Sequence, residues 1–421
     1  MGERQGNILR TPPSKTITSI AFALLWVCVF AIPLENMFHI PGGATFNHLI
    51  GLMAFGFGGI AIAERGIRPM LGFHYALGLF AVWEATSYAW AAVPGPAAVR
   101  AVTFVQLACF AWLIWQTARS ADQIESLTKA FVFGSATAAC LVFWQYVSGI
   151  SFMDRLQESR FVAPGTDPNE LAITLAVAFP LAWLVTSKMK NRSGILLLTC
   201  ISLFLVGAIV LTGSRSGVIS LLGCCFAAPA FFKKHSYGLK LSLALILAIT
   251  SVAVGVGFSN SAVERLSTMG NEIQYGDLDL RLVIWRAGIE VVPQHPWIGV
   301  GAAGYETVIA HMTGRPFVAH NTLLSILVET GGLGLALFVS ALFLVFLKCH
   351  SIRAHERSFW FAALAVWGIG MVTLTWEFQK TTWFLLSLLV AQAHAVPKIT
   401  RRFLKVDSAS VAGITNACAH R

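Results

Sequence analysis

The sequence predicts an all-α fold, a polytopic transmembrane helical bundle of about 12 helices with one long outer loop that contains short helices. Only 12% of the 421 residues are charged, and the mean hydropathy of +0.70 lies far above that of soluble globular proteins. Apolar runs of about 20 residues, the length that crosses a bilayer, recur along the chain. Helices are expected for these runs, because a helix satisfies its own backbone polar groups inside hydrocarbon.

One polar insert interrupts the series of apolar runs. Residues 259–319 are too polar to span a membrane and too many for a turn, and loops of that length are usually functional. We therefore predict transmembrane helices 1–9 within 1–258, the long loop at 259–319, transmembrane helices 10–12 within 320–405 and a cytoplasmic tail at 406–421. The predicted spans are 17–34, 45–63, 70–91, 98–118, 129–149, 168–187, 195–212, 217–232, 241–258, 320–347, 358–376 and 381–397.

Lysine and arginine in the connections predict the orientation. With the N-terminus inside, 21 of the 30 cations fall in inner segments, so both termini are predicted to be cytoplasmic. The formal charge of +10 is then mainly a topology signal, and it does not indicate nucleic-acid binding. All but one of the outer cations are arginine. Snorkelling to lipid headgroups accounts for Arg100, but not for the arginines clustered in the outer loops.

Several local patterns refine this topology. The first apolar run is too long for a signal peptide and lacks a small-residue cleavage site, so we expect it to remain as a helix. In the long loop, "RLVIWRAGIEVV" predicts a short helix against the membrane, and "PQHPWIGVGAAGYETV" predicts a turn region that leads into another helix. The glycines at 331, 332 and 334 predict a kink or re-entry in an unusually long helix. Neither a disulfide in the outer loops nor a Cys metal site is expected from the eight cysteines.

Two arginines at predicted outer turns suit the binding of phosphate. Arg215 lies in "LTGSRSGV", a tight turn rich in glycine and serine, and Arg160 heads "RFVAPGTDPNELA". A planar guanidinium binds phosphate oxygens in pairs, so such residues fit the diphosphate of a lipid carrier whose tail stays among the helices. Backbone N–H groups of the glycine-rich turn, together with the hydroxyls of Ser214 and Ser216, can add donors.

The long loop carries two more candidate arginines, Arg281 and Arg286. They are five residues apart and do not share a helix face, so one of them is predicted to be structural. The nearby acidic pair in "DLD" (277–279) is too common a pattern to indicate a metal site. His295, His311 and His320 likewise lack the helical spacing of a zinc site, and no metal is predicted.

His320 and Asn321 open the tenth predicted helix. An imidazole with an ordinary pKa of about 6.5 can accept a proton from an attacking hydroxyl. The positive end of the helix dipole favours the neutral ring, which is the form competent as a base. Asn321 can orient the ring or a sugar hydroxyl. A histidine at a helix start is, however, more often a cap or an interfacial side chain than a base, and both interpretations remain open at this stage.

Four stretches in a fixed order resemble the superfamily of O-antigen ligases and polymerases. The ligase signature is His, then Asn, Ser or Gln, then nine residues and Gly-x-x-Gly (or Thr or Tyr); here His320 and Asn321 are followed, nine residues on, by Gly331 and Gly334. "TGSRSG" resembles the family's arginine turn, and "RLVIWRAGIEVVPQHPWIGVGAAGY" resembles its long-loop motif, with Arg281 matching better than Arg286. "DPNELA", just after Arg160, resembles a further family stretch.

The resemblance, which spans about residues 160–340, implies a reaction and its partners. A polysaccharide on undecaprenyl diphosphate would be transferred to a sugar hydroxyl of lipid A–core at the periplasmic face of the bacterial inner membrane, with inversion. His320 would be the general base, Arg215 and Arg281 the diphosphate clamp, Arg160 or Arg286 secondary ligands. No cofactor, metal or nucleotide is expected, since the diphosphate is already an activated leaving group.

Two alternatives remain at the level of sequence. The chain can be an O-antigen polymerase or a protein O-oligosaccharyltransferase of the same superfamily, although the complete Gly-x-x-Gly signature favours the ligase. It can also be a secondary transporter, since twelve helices with cytoplasmic termini is the commonest transporter layout. Transporters usually show internal repeats and charges near the bilayer midplane, whereas the main helical acids here, Glu84 and Glu329, are predicted nearer the outer ends.

Overall fold

The computed structural model describes residues 15–37, 45–150, 160–231 and 277–395, with the side chains of 225–231 and 277–279 left out. Within these ranges the secondary structure is helical and contains no β-strand. The helices are α1 (Lys15–Phe30), α2 (Phe46–Arg65), α3 (Gly72–Ser87), α4 (Pro94–Thr117), α5 (Ala121–Ser148), α6 (Pro168–Lys188), α7 (Arg192–Leu211), α8 (Arg215–Phe231), α9 (Asp277–Val291), α10 (Tyr305–Thr313), α11 (Thr322–Cys349), α12 (Ala354–Thr373) and α13 (Lys380–Ala395).

The protein is an all-α, multi-pass membrane protein. Eleven of the predicted spans coincide with described helices, while the span at 241–258, the first part of the long loop and the tail at 406–421 lie outside the described residues. Six described helices are long and apolar enough to cross a membrane, namely α2, α4, α5, α6, α7 and α11. The total of about 12 transmembrane helices, the domain boundaries and the membrane orientation stay predictions.

Helix α6 lies at the centre of the bundle. Nearly all of its side chains from Leu171 to Thr186 are buried, and it packs against α5, α7, α8 and α12. Such a helix, apolar on all sides, is stable only when it is surrounded by other helices. The carboxylate of Asp167 fixes its start by accepting hydrogen bonds from the backbone N–H groups of Asn169 and Glu170, and Pro168 occupies the first turn. Asp167 is therefore the N-cap of α6.

Short connections join successive helices that run in opposite directions, so alternate connections lie at the same end of the bundle. We call this end the site end; it holds the connections 31–37, 88–93, 160–167, 212–214 and 374–379, and the start of α11. Contacts join these connections: the N–H of Phe161 donates to the carbonyl of Leu211 at 3.2 Å, and the Arg100 guanidinium lies 3.4 Å from the Glu377 carboxylate. Sequence topology predicts that the site end is the outer one.

Candidate active site

His320 has a backbone conformation that is rare for its residue type. Its φ angle is +46°, in the left-handed region, where a residue other than glycine costs about 1–3 kcal/mol. The strain is held by the connection between α12 and α13, since the N–H of His320 donates to the hydroxyl of Thr375 at 3.1 Å. His320 as a whole is half-buried. Strained backbone of this kind is common at functional sites, so the strain itself supports a functional role for His320.

The two residues after His320 anchor the start of α11. The Asn321 side-chain oxygen accepts from the N–H of Leu324 at 3.1 Å and so caps the helix. The buried hydroxyl of Thr322 donates to the carbonyl of Leu374 and accepts from the N–H of Trp376, both at 2.9 Å. The backbone at His320 is therefore clamped from two sides. A role for the Asn321 amide towards substrate stays a prediction.

Helix α9 crosses close to His320. The indole N–H of Trp285 donates to the carbonyl oxygen of Ala319 at 2.8 Å, one residue before the histidine. Ile284 and the neighbouring buried apolar side chains of α9 pack on Tyr305, whose hydroxyl donates to the Ile284 carbonyl at 3.1 Å. A helix is present where the sequence predicted one in the long loop, while its position against the membrane stays a prediction. Its place beside His320 is a feature that the sequence does not reveal.

The geometry of α9 separates its two arginines. At about 100° per residue, Arg281 lies about 40° from Trp285 around the helix, whereas Arg286 lies about 140° from Arg281. Arg281 is half-buried and shares the Trp285 face, which points to Ala319 and His320; Arg286 is exposed. The structure therefore favours Arg281 as the residue near the histidine.

Arg215 is the first residue of α8, directly after a buried turn. Gly213 adopts a left-handed φ of +62°, which a side chain would disfavour. Ser214 is fully buried, and its hydroxyl accepts from the N–H of Gly217 at 3.3 Å and lies 3.2 Å from the hydroxyl of Ser216. Both serines thus form the turn itself, while Arg215 is half-buried. Their predicted role as phosphate donors is untested.

Arg160 holds the Arg215 turn in place. It is 7% exposed, and its Nε donates to the carbonyl of Thr212 at 2.9 Å. Its Nη2 donates to the side-chain oxygen of Asn169 in the first turn of α6, at 2.8 Å. The guanidinium therefore ties the connection at 160–167 to the turn at 212–214. This contact gives Arg160 a positioning role beside the predicted one.

The two halves of the site flank the first turns of α6. Close packing brings the start of α8 against α6, since a Cβ on Gly217 would lie 2.5 Å from the Ala172 side chain. On the neighbouring residue of α6, a Cβ on Gly370 would lie 2.8 Å from the Ile173 side chain. Gly370 is in the last turn of α12, which leads into the 374–376 segment that holds His320. Both pairs, Arg160 with Arg215 and Arg281 with His320, therefore lie at the site end around one helix.

Comparison with known families narrows the class of the protein. The family described as O-antigen ligase matches residues 200–339, which include Arg215, Arg281, Arg286, His320 and both signature glycines. Residues 200–339 are therefore similar to the O-antigen ligase family. A comparison with curated proteins found no significant match. This match favours a glycosyltransferase-type membrane enzyme that acts on polysaccharide and lipid.

The signature glycines of the ligase family have a packing role in this chain. Gly331 breaks α11 with a φ of +69°, and a Cβ there would lie 2.3 Å from the backbone carbon of Trp297. A Cβ on Gly334 would lie 2.0 Å from the Thr330 hydroxyl. Both positions therefore require the absence of a side chain. The predicted kink at the glycines is confirmed at Gly331.

Backbone from the long loop fills the break in α11. The N–H groups of Val300 and Gly301 donate to the carbonyls of Val328 and Glu329, both at 2.9 Å. In the other direction, the N–H groups that follow the break donate to the loop: Gly332 to Pro296 at 2.8 Å, and Leu333 to Trp297 at 3.2 Å. The polar groups exposed by the kink are thus satisfied by the loop. This exchange fixes the loop against the helix that begins beside His320.

A buried ionic cluster, which the sequence reasoning missed, supports the same loop. The Glu329 carboxylate accepts from the N–H groups of Ala303 and Tyr305 at 3.1 and 3.3 Å, at the start of α10. Arg100 lies 3.8 Å from Glu329 and 3.4 Å from Glu377, and it stacks on the Phe378 ring. The sequence does hold a hint of this cluster. Charged residues are rare in so apolar a chain, and charges within a membrane are usually paired with one another.

Arg100 corrects one sequence-based expectation. Its side chain is 17% exposed and turns into the bundle, towards two buried carboxylates, so the snorkelling explanation is wrong. Glu377 lies in the connection between α12 and α13, where burial raises the pKa of its carboxyl to about 7 although Arg100 opposes that rise. An arginine that neutralises buried carboxylates is more favourable inside the bundle than at the lipid headgroups.

The residues that the sequence analysis rejected as metal ligands show no convergent geometry among the described residues. His295 and His311 are exposed, and the side chains of Asp277 and Asp279 lie outside the described residues. Among the described residues, no group of three His, Cys, Asp or Glu side chains is close enough to share a metal ion. Metal independence stays a prediction.

Proposed function

We propose that the protein is an inverting O-antigen ligase. It transfers polysaccharide from undecaprenyl diphosphate to a sugar hydroxyl of lipid A–core, at the periplasmic face of the bacterial inner membrane, with no metal or nucleotide. The observation that carries this proposal is the strained His320, which lies beside the Arg281 face of α9 and at the same end of the bundle as the Arg215 turn. Similarity to the O-antigen ligase family supplies the general chemistry.

The proposed reaction is a single displacement. The acceptor hydroxyl oxygen forms the new bond to the anomeric carbon while the bond from that carbon to the diphosphate oxygen breaks. The hydroxyl proton passes to the His320 imidazole, and the electron pair of the broken bond leaves with undecaprenyl diphosphate. Arg215 and Arg281 offset the charge that grows on the diphosphate, usually the largest contribution in such catalysis.

The secondary residues have graded roles in this mechanism. Arg160 acts through the Arg215 turn, because two of its nitrogens donate to Thr212 and Asn169. Arg286 is exposed on the other side of α9. Its role in this mechanism is to contact peripheral parts of the diphosphate or glycan. The fixed backbone around His320 and Gly331 keeps the base in place, which matters because a displacement of about 1 Å can cost a factor of about 100 in rate.

Reconstitution tests the proposal. Purified full-length protein is supplied with a lipid-linked glycan and truncated lipopolysaccharide in the presence of a chelator, and a larger lipopolysaccharide product is expected. His320→Ala should abolish the product and leave the lipid-linked donor intact. Growth of the lipid-linked glycan without lipopolysaccharide acceptor would indicate a polymerase, and transfer to a protein would indicate an oligosaccharyltransferase. Uptake of a solute into liposomes without sugar transfer would support a transporter.

A further inference from the structure

An apolar groove lies at the end of the bundle opposite the site end, between α2, α3 and α4. Its volume is about 510 Å³, and it is lined mainly by apolar side chains within 70–79 and 108–112. The connection that follows α3 belongs to the site end, so the start of α3, where the groove begins, lies at the other end. Sequence topology predicts that this end is the inner one. The groove then faces the inner leaflet of the membrane.

One buried polar atom of this groove has no partner in the part of the chain that the structure describes. His74 is 7% exposed and lines the groove, and its Nε2 makes no hydrogen bond. Its Nδ1 accepts from the N–H of Leu71 at 3.2 Å, so in the neutral ring the hydrogen is on Nε2. Buried donors without an acceptor are rare unless a ligand or water completes them. The groove therefore fits a ligand that supplies an acceptor oxygen at His74.

Two arginines lie close to this histidine. The Arg68 guanidinium stacks on the Trp115 ring, with its carbon 3.4 Å from the ring centroid, and the Trp115 and His74 ring centroids are 5.0 Å apart. Arg119 lies beside Arg68, because the side-chain oxygen of Gln116 accepts from the backbone N–H of Arg68 at 2.8 Å and from Nη2 of Arg119 at 3.4 Å. One aromatic ring therefore separates the Arg68 guanidinium from the histidine that lines the groove.

Neither arginine has a carboxylate partner among the described residues. The guanidinium hydrogen bonds of Arg68 and Arg119 go to carbonyl and amide oxygens, at 2.8–3.4 Å. Arg65, in the last turn of α2, adds a third cation to the same connection. Glu64 and the exposed Asp122 are the nearby acids in the sequence, and neither pairs with Arg68 or Arg119. Since each guanidinium has five N–H donors, both can still bind an anion.

The order of these groups along the bundle axis matches the parts of a phospholipid. The arginines lie in the connections at the end of the bundle, His74 lies in the first turn of α3, and the groove continues to Leu79, about 8 Å further at 1.5 Å per residue. Basic pockets between helices at the cytoplasmic side of a membrane bind anionic lipid headgroups. A free phosphate ion would use the arginines alone and would leave the apolar groove without an occupant.

We propose that this groove binds one anionic phospholipid of the inner leaflet. Its phosphate lies at Arg68 and Arg119, an ester carbonyl oxygen accepts a hydrogen bond from Nε2 of His74, and one acyl chain fills the groove. A head with net negative charge is favoured over a zwitterionic one, because the two arginines have no carboxylate partner among the described side chains. The site does not depend on the proposed function, since none of the candidate active-site residues lines the groove.

A matched pair of glycines tests the apolar part of the site. Gly78 lines the groove and Gly368 lies on α12; both are half-buried, and a Cβ on either would meet nothing within 4 Å. Binding of phosphatidylglycerol to the full-length protein in detergent is measured by native mass spectrometry. Gly78→Leu should weaken this binding about tenfold, because its side chain occupies the groove, and Gly368→Leu should not change it. Equal affinities of Gly78→Leu and the wild type would overturn the proposal.

A matched pair of arginines tests the head of the lipid. Arg68→Gln should weaken binding of phosphatidylglycerol about fivefold, the effect of one basic residue, and leave binding of phosphatidylcholine with the same acyl chains unchanged. Arg192→Gln removes an exposed cation at the same end of the bundle, at the start of α7, and should change neither. Equal binding of the two lipids by the wild type, or displacement of phosphatidylglycerol by inorganic phosphate, would contradict the proposal. Thermal unfolding checks that each variant is folded, and Arg68→Gln decides alone if Gly78→Leu is not.

Discussion

The indole N–H of Trp285 lies 2.8 Å from the carbonyl oxygen of Ala319, and this hydrogen bond joins the long loop to the residue before His320. The two residues are separated by 34 positions along the chain. The bond orients α9, and with it Arg281, relative to the histidine. Catalysis by two groups on different segments requires such a link.

Trp285→Phe is therefore expected to reduce kcat about tenfold or more with little change in either KM. The ring still packs, but the hydrogen bond that positions Ala319 is lost, and a small displacement of the base has a large effect on rate. Steady-state kinetics of the reconstituted protein measures it. Trp297→Phe is the control, since that side chain is 69% exposed, and equal losses in the two variants would argue against a specific link.

Substitutions of His320 separate its chemistry from its strain. Both His320→Ala and His320→Gly should be inactive, because neither supplies a base. The glycine variant should be the more stable by about 1 kcal/mol, since only glycine adopts the φ of +46° without a steric cost. Thermal or denaturant unfolding in detergent measures the difference. Equal stability would show that the left-handed backbone relaxes when the side chain is removed.

The two arginines of α9 should differ in effect. Arg281→Gln is expected to lower kcat by about 100-fold, the size found when one group that stabilises developing negative charge is removed. Arg286→Gln should lower it by less than about threefold, as its side chain is exposed on another face. Transfer rates at saturating donor give the comparison. A larger loss in Arg286→Gln would reverse the assignment.

The fold was predictable largely because the membrane constrains it. Hydropathy over about 20 residues detects a span without knowledge of its neighbours, and eleven described helices agree with it. Arg281 and His320 could also be selected from motifs and residue chemistry. Their proximity could not, because it depends on Trp285 reaching Ala319 and on the clamp at Thr375, 55 residues beyond His320.

Long-range pairing also explains the error at Arg100. From the sequence, an arginine near a helix end is equally compatible with headgroups and with a buried partner. Its partners lie at positions 329 and 377, on elements whose packing no local pattern encodes. The same limit applies to Gly331, for which the sequence predicted a kink but not the loop backbone that fills it.

Gly331→Ala tests whether the contact between the loop backbone and the break in α11 holds the loop in place. The added methyl group would require a left-handed alanine and would lie 2.3 Å from the Trp297 backbone, so the loop must move away. We expect a loss of more than about 2 kcal/mol in unfolding free energy, together with faster proteolysis within 296–304. Gly368→Ala, where a Cβ meets nothing within 4 Å, serves as the control and should melt like the wild type. An unchanged proteolysis rate within 296–304 would contradict the idea that the break in α11 holds the loop in place.

Arg100→Met should be the most destabilising of these single changes. It leaves the buried carboxylates of Glu329 and Glu377 without their cation, and removal of one partner from a buried ionic group costs about 3–5 kcal/mol. Adding Glu377→Gln to Arg100→Met should restore part of the loss, because it removes one of the two uncompensated charges. Unfolding of the single and double variants in detergent forms a double-mutant cycle. Additive effects would mean that Arg100 and Glu377 are not coupled.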